Sequence, residues 1–493
     1  MNLDIQDICV SSDSSLRDAL LQIDRCGTGF LAVVSTGGHL EGVITDGDIR
    51  RALLRGVGLD TPIPEVMNER CFSLPVTATD VQINKAMSDR IAFIPLVDAD
   101  RRVVDYAALS RHRKFPVAEP VFHGNELNYV QECIRTGWIS SQGRFVTLFE
   151  RLLADFHGID HALAVSNCTI ALHLALISLG IGEGDEVIVP DFTFGASANA
   201  VVHAKATPVL VDVDPLSWTM DLEEVKRAIS PRTKAIMPVH IYGHACDMGP
   251  LMEIADRKGL YIIEDCAESL GGRYRGVLLG TFGHAACFSF FGNKTITTGE
   301  GGMILFRDSA VMERARMLRD HGMRPNRRYW HVEPGYNYRL TNLQAAVGVA
   351  QMERIDQILG QKMAVFDAYQ EALAGVSGVT RPNVAEWAAP VCWLYTVLVE
   401  PGHLSRDELS QRLLAKGVDS RPVFLPMHEM PAFKNARTVR DYPVTTHLAA
   451  HGLSLPSYAH LTTRDIHAIT SSISDLVSVR KMVMDATALQ VGK

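Results

Sequence analysis

The chain has 493 residues, roughly three times the size at which single domains cluster, so it should fold as two or three units and not as one small module. With 47% hydrophobic and 21% charged residues it can fill large cores, and global disorder is excluded. The 48 basic and 56 acidic residues leave a net charge of −8, with one short basic cluster at Arg324, Arg327 and Arg328; nucleic acid is therefore not an expected partner, because that affinity comes from neutralising phosphates.

Nine cysteines are scattered without a CxxC pair or a Cys/His ligand spacing, which predicts a reducing, cytoplasmic setting and no metal site. The opening MNLDIQDICVSSDSS lacks the charged-then-apolar pattern of a leader. No unbroken apolar run approaches the length of a membrane span, so no membrane partner is expected.

Residues 1–115 carry an internal repeat. Leu31-Ala-Val-Val34, a strand followed by Ser-Thr-Gly-Gly, recurs 63 positions later as Ile94-Pro-Leu-Val97 followed by Asp-Ala-Asp. A stretch of helical period precedes each, LRDALLQI within 15–23 and DVQINKAM within 79–87. A second strand and helix follow the first copy in GVITDGDIRRALLRG, so the unit reads as a doubled β-α-β-β-α plan. This segment resembles a tandem CBS pair. The resemblance implies that Thr45 and Asp48, at a strand-to-helix junction, hold the ribose and phosphate of an adenine or related nucleotide, where helix N-terminal amides are also within reach. The second copy reads VVDYAALSRH at the equivalent place, which leaves one well-formed site. The alternative is a degenerate dimerisation or docking element, with Arg50, Arg51 and Arg55 as a solvated face.

The charged, proline-punctuated RHRKFPVAEP, 111–120, reads as a linker. Beyond it strand-like runs alternate with helical ones: ALAV then CTIALHLALISLGI, EVIVP then ASANAVVHA, PVLVDV then LEEVKRAI, KAIMPVH then GPLMEIADRKG, followed by YIIED and ACFSF. Such alternation predicts an α/β fold with a mostly parallel sheet and ligands at the carboxyl ends of its strands. Residues 116–355 form the expected large domain. The segment 356–493, with WLYTVLVE and RDELSQRLLAKG, forms a smaller α/β subdomain.

The most informative stretch is Ala286-Cys-Phe-Ser-Phe-Phe-Gly-Asn-Lys-Thr-Ile-Thr-Thr-Gly-Glu-Gly-Gly302. Lys294 follows an apolar strand and a Gly-Asn turn, a setting that desolvates the amine, lowers its pKa and frees it for Schiff-base formation. Ser289 can bind a phosphate nearby, and the spacing is not that of a P-loop. Upstream, Tyr261-Ile-Ile-Glu-Asp-Cys-Ala-Glu268 ends a buried strand in carboxylates. Asp265 there can keep a pyridine nitrogen protonated, as pyridoxal phosphate requires, or can cap a following helix.

Residues 116 to about 485 resemble the DegT/DnrJ/EryC/StrS sugar aminotransferases, through GWISSQGRFVTLFE, SNCTIALHLAL, GDEVIVPDFTFGASANAV, the Asp265 strand, the Lys294 loop and GYNYRLTNLQAAVGVAQMERID. The resemblance implies the type I aspartate-aminotransferase fold and pyridoxal phosphate as cofactor. Lys294 is then the catalytic residue, Asp265 meets the pyridine nitrogen, Glu268 lies near the phenolic oxygen where many members have glutamine, and Phe194 stacks on the ring. Cys168, Thr169 and Ser289 hold the phosphate, and Asn337 reaches it from a neighbouring subunit, which implies a homodimer or a tetramer of dimers. Cys168 stands where a glycine is usual, a change that a Cβ tolerates unless φ is positive. His173 and His203, on apolar helices, read as packed structural residues.

Within the family, SFFGNKTITTGEGGM, MRPNRRYWH, DSRPVFLPMHEMPAF and LSLPSYAHLT resemble members that aminate GDP-4-keto-6-deoxymannose with L-glutamate, releasing 2-oxoglutarate. Tyr329, Trp330, Arg421 and His428 are the residues expected near the nucleotide-linked keto sugar. A pyridoxamine phosphate form links the two half-reactions, with Lys294 as nucleophile, base and acid. The competing readings are a UDP- or dTDP-linked keto sugar as substrate, and a nucleotide-sensing or scaffold protein with a silent catalytic fold. Deoxygenation is disfavoured, because dehydrases of this kind carry histidine at the position of Lys294.

Overall fold

The computed structural model describes residues 5–78, 82–83, 86, 91, 93–108, 115–324 and 326–491, the stretch 478–491 as backbone only. Most of the second amphipathic stretch of the repeat, and 111–114 of the expected linker, lie outside these residues. The chain divides into two compact units, residues 1–115 with 414–418 and residues 116–413 with 419–493.

The first unit uses one plan twice. Strand β1 (Cys9–Ser11) lies parallel to β2 (Phe30–Val34), which pairs antiparallel with β3 (Leu40–Thr45). Strands β4 (Leu74–Pro75), β5 (Phe93–Val97) and β6 (Val103–Ala108) repeat that order. Both antiparallel ladders slip register at equivalent points 63 residues apart, Val33/Val34 and Leu96/Val97. Phe30 and Phe93, an equivalent pair, stack with ring centroids 3.6 Å apart. A reciprocal pair of bonds, Leu40 N–H to the Arg101 carbonyl and Val103 N–H to the Gly38 carbonyl, joins the halves in the same symmetric way.

The first copy folds locally for reasons visible in its sequence. The helix Leu16–Cys26 starts at a Ser15/Asp18 capping box and stops at Gly27, whose φ of 66° suits a residue without Cβ. It turns Leu16, Ala19 and Ile23 onto Leu31, Val33 and Ile44. The helix Asp46–Leu54 adds Ile49 and Ala52 to that core.

The second unit is an α/β layer structure, as expected. Its central strands are β7 (His161–Val165), β8 (Glu186–Pro190), β9 (Thr207–Val211), β10 (Thr233–Ile236) and β11 (Tyr261–Asp265). A hairpin of β12 (Arg273–Tyr274) and β13 (Val277–Leu278) precedes β14 (Ala285–Ser289) and β15 (Gly302–Phe306). Farther on come β16 (Val379–Thr380), β17 (Ala388–Ala389), β18 (Thr396–Val399), β19 (Arg421–Pro422), β20 (Arg437–Thr438) and β21 (Gly452–Ser454). The main sheet has the order β20-β9-β8-β10-β11-β14-β15-β7, and β15 alone runs antiparallel to its neighbours. Its strands are almost wholly apolar, the pattern of a sheet covered on both faces. The helix Cys168–Ser178 buries Leu172, Leu174, Ala175 and Leu176 completely, so it lies inside the layer packing and not on the surface.

One feature departs from the expected division at residue 356. Although β16, β18, β21 and β19 form a separate antiparallel sheet, β20 from the same C-terminal stretch extends the main sheet beside β9. Asp212, just past β9, accepts the N–H groups of Val444 and Thr445 and the Thr445 hydroxyl. Its carboxylate thereby caps the helix Pro443–His451, which begins with proline and has no cap of its own.

Candidate active site

Parallel strands end at one edge of the sheet, and the segments leaving β7, β8, β10, β11 and β14 line a cavity of about 860 Å³. This is the edge at which a doubly wound sheet presents ligands, and the volume suits a cofactor with part of a substrate. Cys168, Thr169, Phe194, Asp265, Glu268, Ser289, Lys294 and Arg421 all line it.

Asp265 closes β11 and is 4% exposed. Its carboxylate accepts the Ser197 hydroxyl at 2.7 Å and the Ala267 N–H at 3.1 Å. Residues 266–272 are turns, so the alternative role of capping a following helix is not the one it has. Burial pushes its pKa up, while those hydrogen bonds and Lys294 pull the other way.

Lys294 leaves the turn after β14 with its side chain 12% exposed. Its Nζ lies 3.7 Å from Glu268 Oε1 and 3.7 Å from the centroid of the Trp393 ring. Burial lowers the amine pKa, and Glu268 resists that shift most. Glu268 accepts the Tyr242 N–H on Oε2 at 2.7 Å, and burial pushes its carboxyl up to about 7 despite Lys294.

The helix Cys168–Ser178 supplies the opposite end of the site. The Asn167 side chain takes the Ile170 N–H, which leaves the amides of Cys168 and Thr169 at the helix start to meet an anion. Cys168 has no positive φ, so its Cβ costs nothing where a glycine is usual. The turn instead demands glycine from β15: a Cβ on Gly302 would stand 2.6 Å from the Asn167 carbonyl carbon and 2.9 Å from the Cys168 nitrogen. The last Gly of the GEGG run is therefore what lets the strand approach the anion-binding turn.

Other expected residues lie elsewhere. His428 does not line the cavity; its Nδ1 lies 2.7 Å from Asp191 Oδ2, its N–H donates to Asp191 Oδ1, and its ring stacks on Tyr442. Asp191 is fully buried, and its hydrogen bonds with His428 satisfy both carboxylate oxygens and tie the segment after β8 to that after β19. Tyr329 and Trp330 sit on an exposed turn, under the guanidinium groups of Arg328 and Arg327. Asn337 is likewise outside the cavity lining, its Oδ1 accepting Arg339 Nε. Thr45 and Asp48, in the first unit, form a complete capping box at 2.6 Å, with Arg51 on the second carboxylate oxygen.

The cavity also holds residues that sequence reasoning missed. Trp393 in its wall, and Ser197, which backs Asp265 from outside the lining, left no signal, because each partners a residue distant in the chain. Tyr242, at φ 49°, packs near-parallel to both Trp393 and Phe424, whose own ring centroids are 6.4 Å apart. His173 and His203 are not simply packed: both border the cavity, and His173 Nδ1 lies 3.3 Å from the Tyr338 hydroxyl. His240, Glu264 and Cys266 cluster under the sheet edge, but Glu264 is already saturated by the N–H groups of Gly280, Phe282 and Gly283 and by His240.

The donor set fits pyridoxal phosphate: an anion-binding helix start at one end, and a buried carboxylate and a desolvated amine at the other. Residues 121–474 match the DegT/DnrJ/EryC1/StrS aminotransferase family, and residues 4–55 match the CBS domain. The chain is 49% identical over 366 residues to a GDP-perosamine synthase of Caulobacter vibrioides, covering 74% of this chain and 98% of that one. It is 41% identical over 363 residues to the GDP-perosamine synthase of Escherichia coli O157:H7, covering 74% and 98%. Among solved structures it resembles a family aminotransferase of Brucella abortus, with a TM-score of 0.68, 33% identity, and 72% and 95% of the two chains covered.

Proposed function

We propose a specific reaction for this chain, which belongs to the DegT/DnrJ/EryC1/StrS aminotransferase family and depends, as that family does, on pyridoxal phosphate: transfer of the amino group of L-glutamate to the keto carbon of GDP-4-keto-6-deoxymannose, giving GDP-perosamine and 2-oxoglutarate. The observation that carries it is the convergence of Lys294, Asp265 and Glu268 in one cavity. The substrate follows from the likeness to GDP-perosamine synthases at 41–49% identity over nearly their whole length.

When bound, pyridoxal phosphate supplies an electron-poor ring that accepts the electrons left on carbon as a proton departs. Asp265 serves it from a buried position where a carboxylate favours a protonated ring nitrogen, and Ser197 and the Ala267 amide fix its two oxygens. Lys294 would hold the cofactor through its amine, and that amine, when free, is placed in the cavity to move a proton. Burial lowers the pKa of that amine, which reduces the cost of its neutral form. The amides of Cys168 and Thr169, with the Ser289 hydroxyl, would hold the phosphate, and Phe194 would cover the ring; all four line the cavity. Arg421 lines the same cavity and is suited to the diphosphate of the sugar nucleotide.

We further propose a homodimer. Leu127, Ile134, Trp138 and Ile139 are 49–67% exposed along the helix Glu126–Thr136 and the turn after it, an apolar strip suited to a second copy. Asn337, turned toward Arg339 in its own chain, would serve the neighbour's phosphate, and Tyr329 and Trp330 the neighbour's substrate. At Thr45 and Asp48 we propose a purine nucleotide that modulates the reaction, its ribose replacing the capping contact between them. All nine cysteines are unpaired, which suits a cytoplasmic reaction.

Incubation with 15N-labelled L-glutamate and GDP-4-keto-6-deoxymannose should place the label in the sugar nucleotide, read by mass spectrometry. Label that stays in glutamate, with cofactor bound, would leave a cofactor-binding protein that is not a transaminase.

A further inference from the structure

Lys294 has two neighbours besides the cavity, and the second is the face of an indole. Trp393 is 4% exposed, and the centroid of its ring lies 3.7 Å from Lys294 Nζ. Its Nε1–H donates at 2.8 Å to the carbonyl of Asn293, the residue before Lys294 in the chain. The same indole thus holds the backbone at one end of the lysine and meets the amine at the other.

Trp393 is itself held on every side. Its N–H donates to Val391, and its carbonyl accepts the buried amine of Lys362 at 2.9 Å. Its ring stacks on Tyr242, with centroids 5.7 Å apart and 19° between planes. Phe424 packs near-parallel to both rings, with centroids 5.5 Å from Tyr242 and 6.4 Å from Trp393, and the Tyr242 N–H donates to Glu268. The two neighbours of the Lys294 amine, Glu268 and Trp393, are therefore fixed to each other through one tyrosine. That tyrosine keeps a left-handed backbone at φ 49°, a conformation that needs surrounding packing to persist.

Resting on the reading of Lys294 as the catalytic amine, we infer that Trp393 is a positioning residue: its ring face receives the Lys294 ammonium whenever that side chain is free of the cofactor. The chemistry requires such a place. A displaced lysine that carries a proton must be an ammonium part of the time, in a cavity that disfavours charge. Glu268, Asp265 and the Cys168 thiol are the ionisable groups nearest the amine from the other elements packed around it. A carboxylate alone would bind the ammonium with directed hydrogen bonds and retain the proton. The quadrupole of an indole attracts the charge without offering a proton acceptor, so the ammonium is stabilised and remains free to donate.

The test varies the electron density of the ring without changing its shape. Fluorinated tryptophans placed at position 393 of the full chain weaken the ring face stepwise. The readout is the pH dependence with which added pyridoxal phosphate is fixed to Lys294 by borohydride, mapped by peptide mass spectrometry; it depends on the neutral amine and needs no turnover. With increasing fluorination the midpoint should move to lower pH, by roughly 0.5 to 1.5 pH units for the fully fluorinated ring. Trp393→Phe, which keeps a ring face and loses the bond to Asn293, should stay closer to wild type than the fluorinated forms. A midpoint indifferent to fluorination would overturn the inference and leave Trp393 as wall packing. If the wild-type protein fixes the cofactor at another lysine, or at none, it is the assignment of Lys294 that fails.

Discussion

Two hydroxyl–carboxylate bonds, one in each unit, have nearly the same length and different meanings. Thr45 Oγ donates to Asp48 at 2.6 Å, and Ser197 Oγ donates to Asp265 at 2.7 Å. The first pair is three residues apart, half-buried, and accounted for by the helix it starts, with Arg51 on the remaining oxygen. The second joins residues 68 apart, is buried, and faces a cavity that also holds a desolvated amine. Bond length therefore says little; burial, separation along the chain and the charge opposite decide whether a carboxylate is structural or chemical. A group that is satisfied locally must give up that contact before it meets a ligand, whereas one brought in over a long separation carries a desolvation cost that folding alone does not explain.

The sharpest way to break this comparison is to remove the chemistry from each side. Lys294→Ala should lower amine transfer by more than about 10⁴-fold, since nucleophile and proton carrier go together, whereas Asp48→Ala should leave basal turnover within about twofold. Quantifying sugar-nucleotide product by chromatography decides both. Asp265→Asn keeps the shape and can still accept the Ala267 N–H, with its NH2 donating to Ser197 Oγ in place of the reverse, but it loses the charge, and should cost on the order of 10²- to 10³-fold in kcat, comparable to losing one preorganised electrostatic contact. Turnover close to wild type in that variant would remove Asp265 from the chemistry.

Gly302→Ala tests the anion-binding turn, because the added methyl meets backbone with nothing flexible to yield. A destabilisation of about 1–3 kcal/mol in denaturant titrations is expected, together with weaker cofactor binding. Glu268→Gln should act through pH. Between about 4.5 and 7 the folded protein keeps a proton on Glu268 that the unfolded chain has released, so this group makes stability fall as pH rises through that window. The difference in Tm between Glu268→Gln and wild type should grow in favour of the variant from pH 5 to pH 7.5. The smallest effect belongs to Thr45→Ala, which should cost the first unit about 1 kcal/mol by removing a helix cap, read in its unfolding transition.

Much of this was legible in the sequence because its signals are local. The repeat in residues 1–115 shows as a spacing, and the two halves reproduce it down to matching register slips. Alternating strands and helices predict the layered sheet, and Asp265 stands out because it ends an apolar strand, Lys294 because it follows one after a Gly-Asn turn. What stayed hidden is what long-range packing decides. No periodicity announces that β20 joins β9, a pairing of two residues each. The role of His428 is set by a buried aspartate 237 positions away, and Trp393 meets Lys294 only because the chain returns to the cavity wall near residue 393.

The central claim is that one cavity carries both half-reactions, and absorbance tests it most directly. The protein, loaded with pyridoxal phosphate, is treated with L-glutamate, freed of excess, and then offered GDP- and UDP-linked 4-keto sugars separately. The account predicts that glutamate bleaches the band of the lysine-bound cofactor and that the GDP-linked sugar alone restores it. A band that glutamate leaves unchanged would contradict the account.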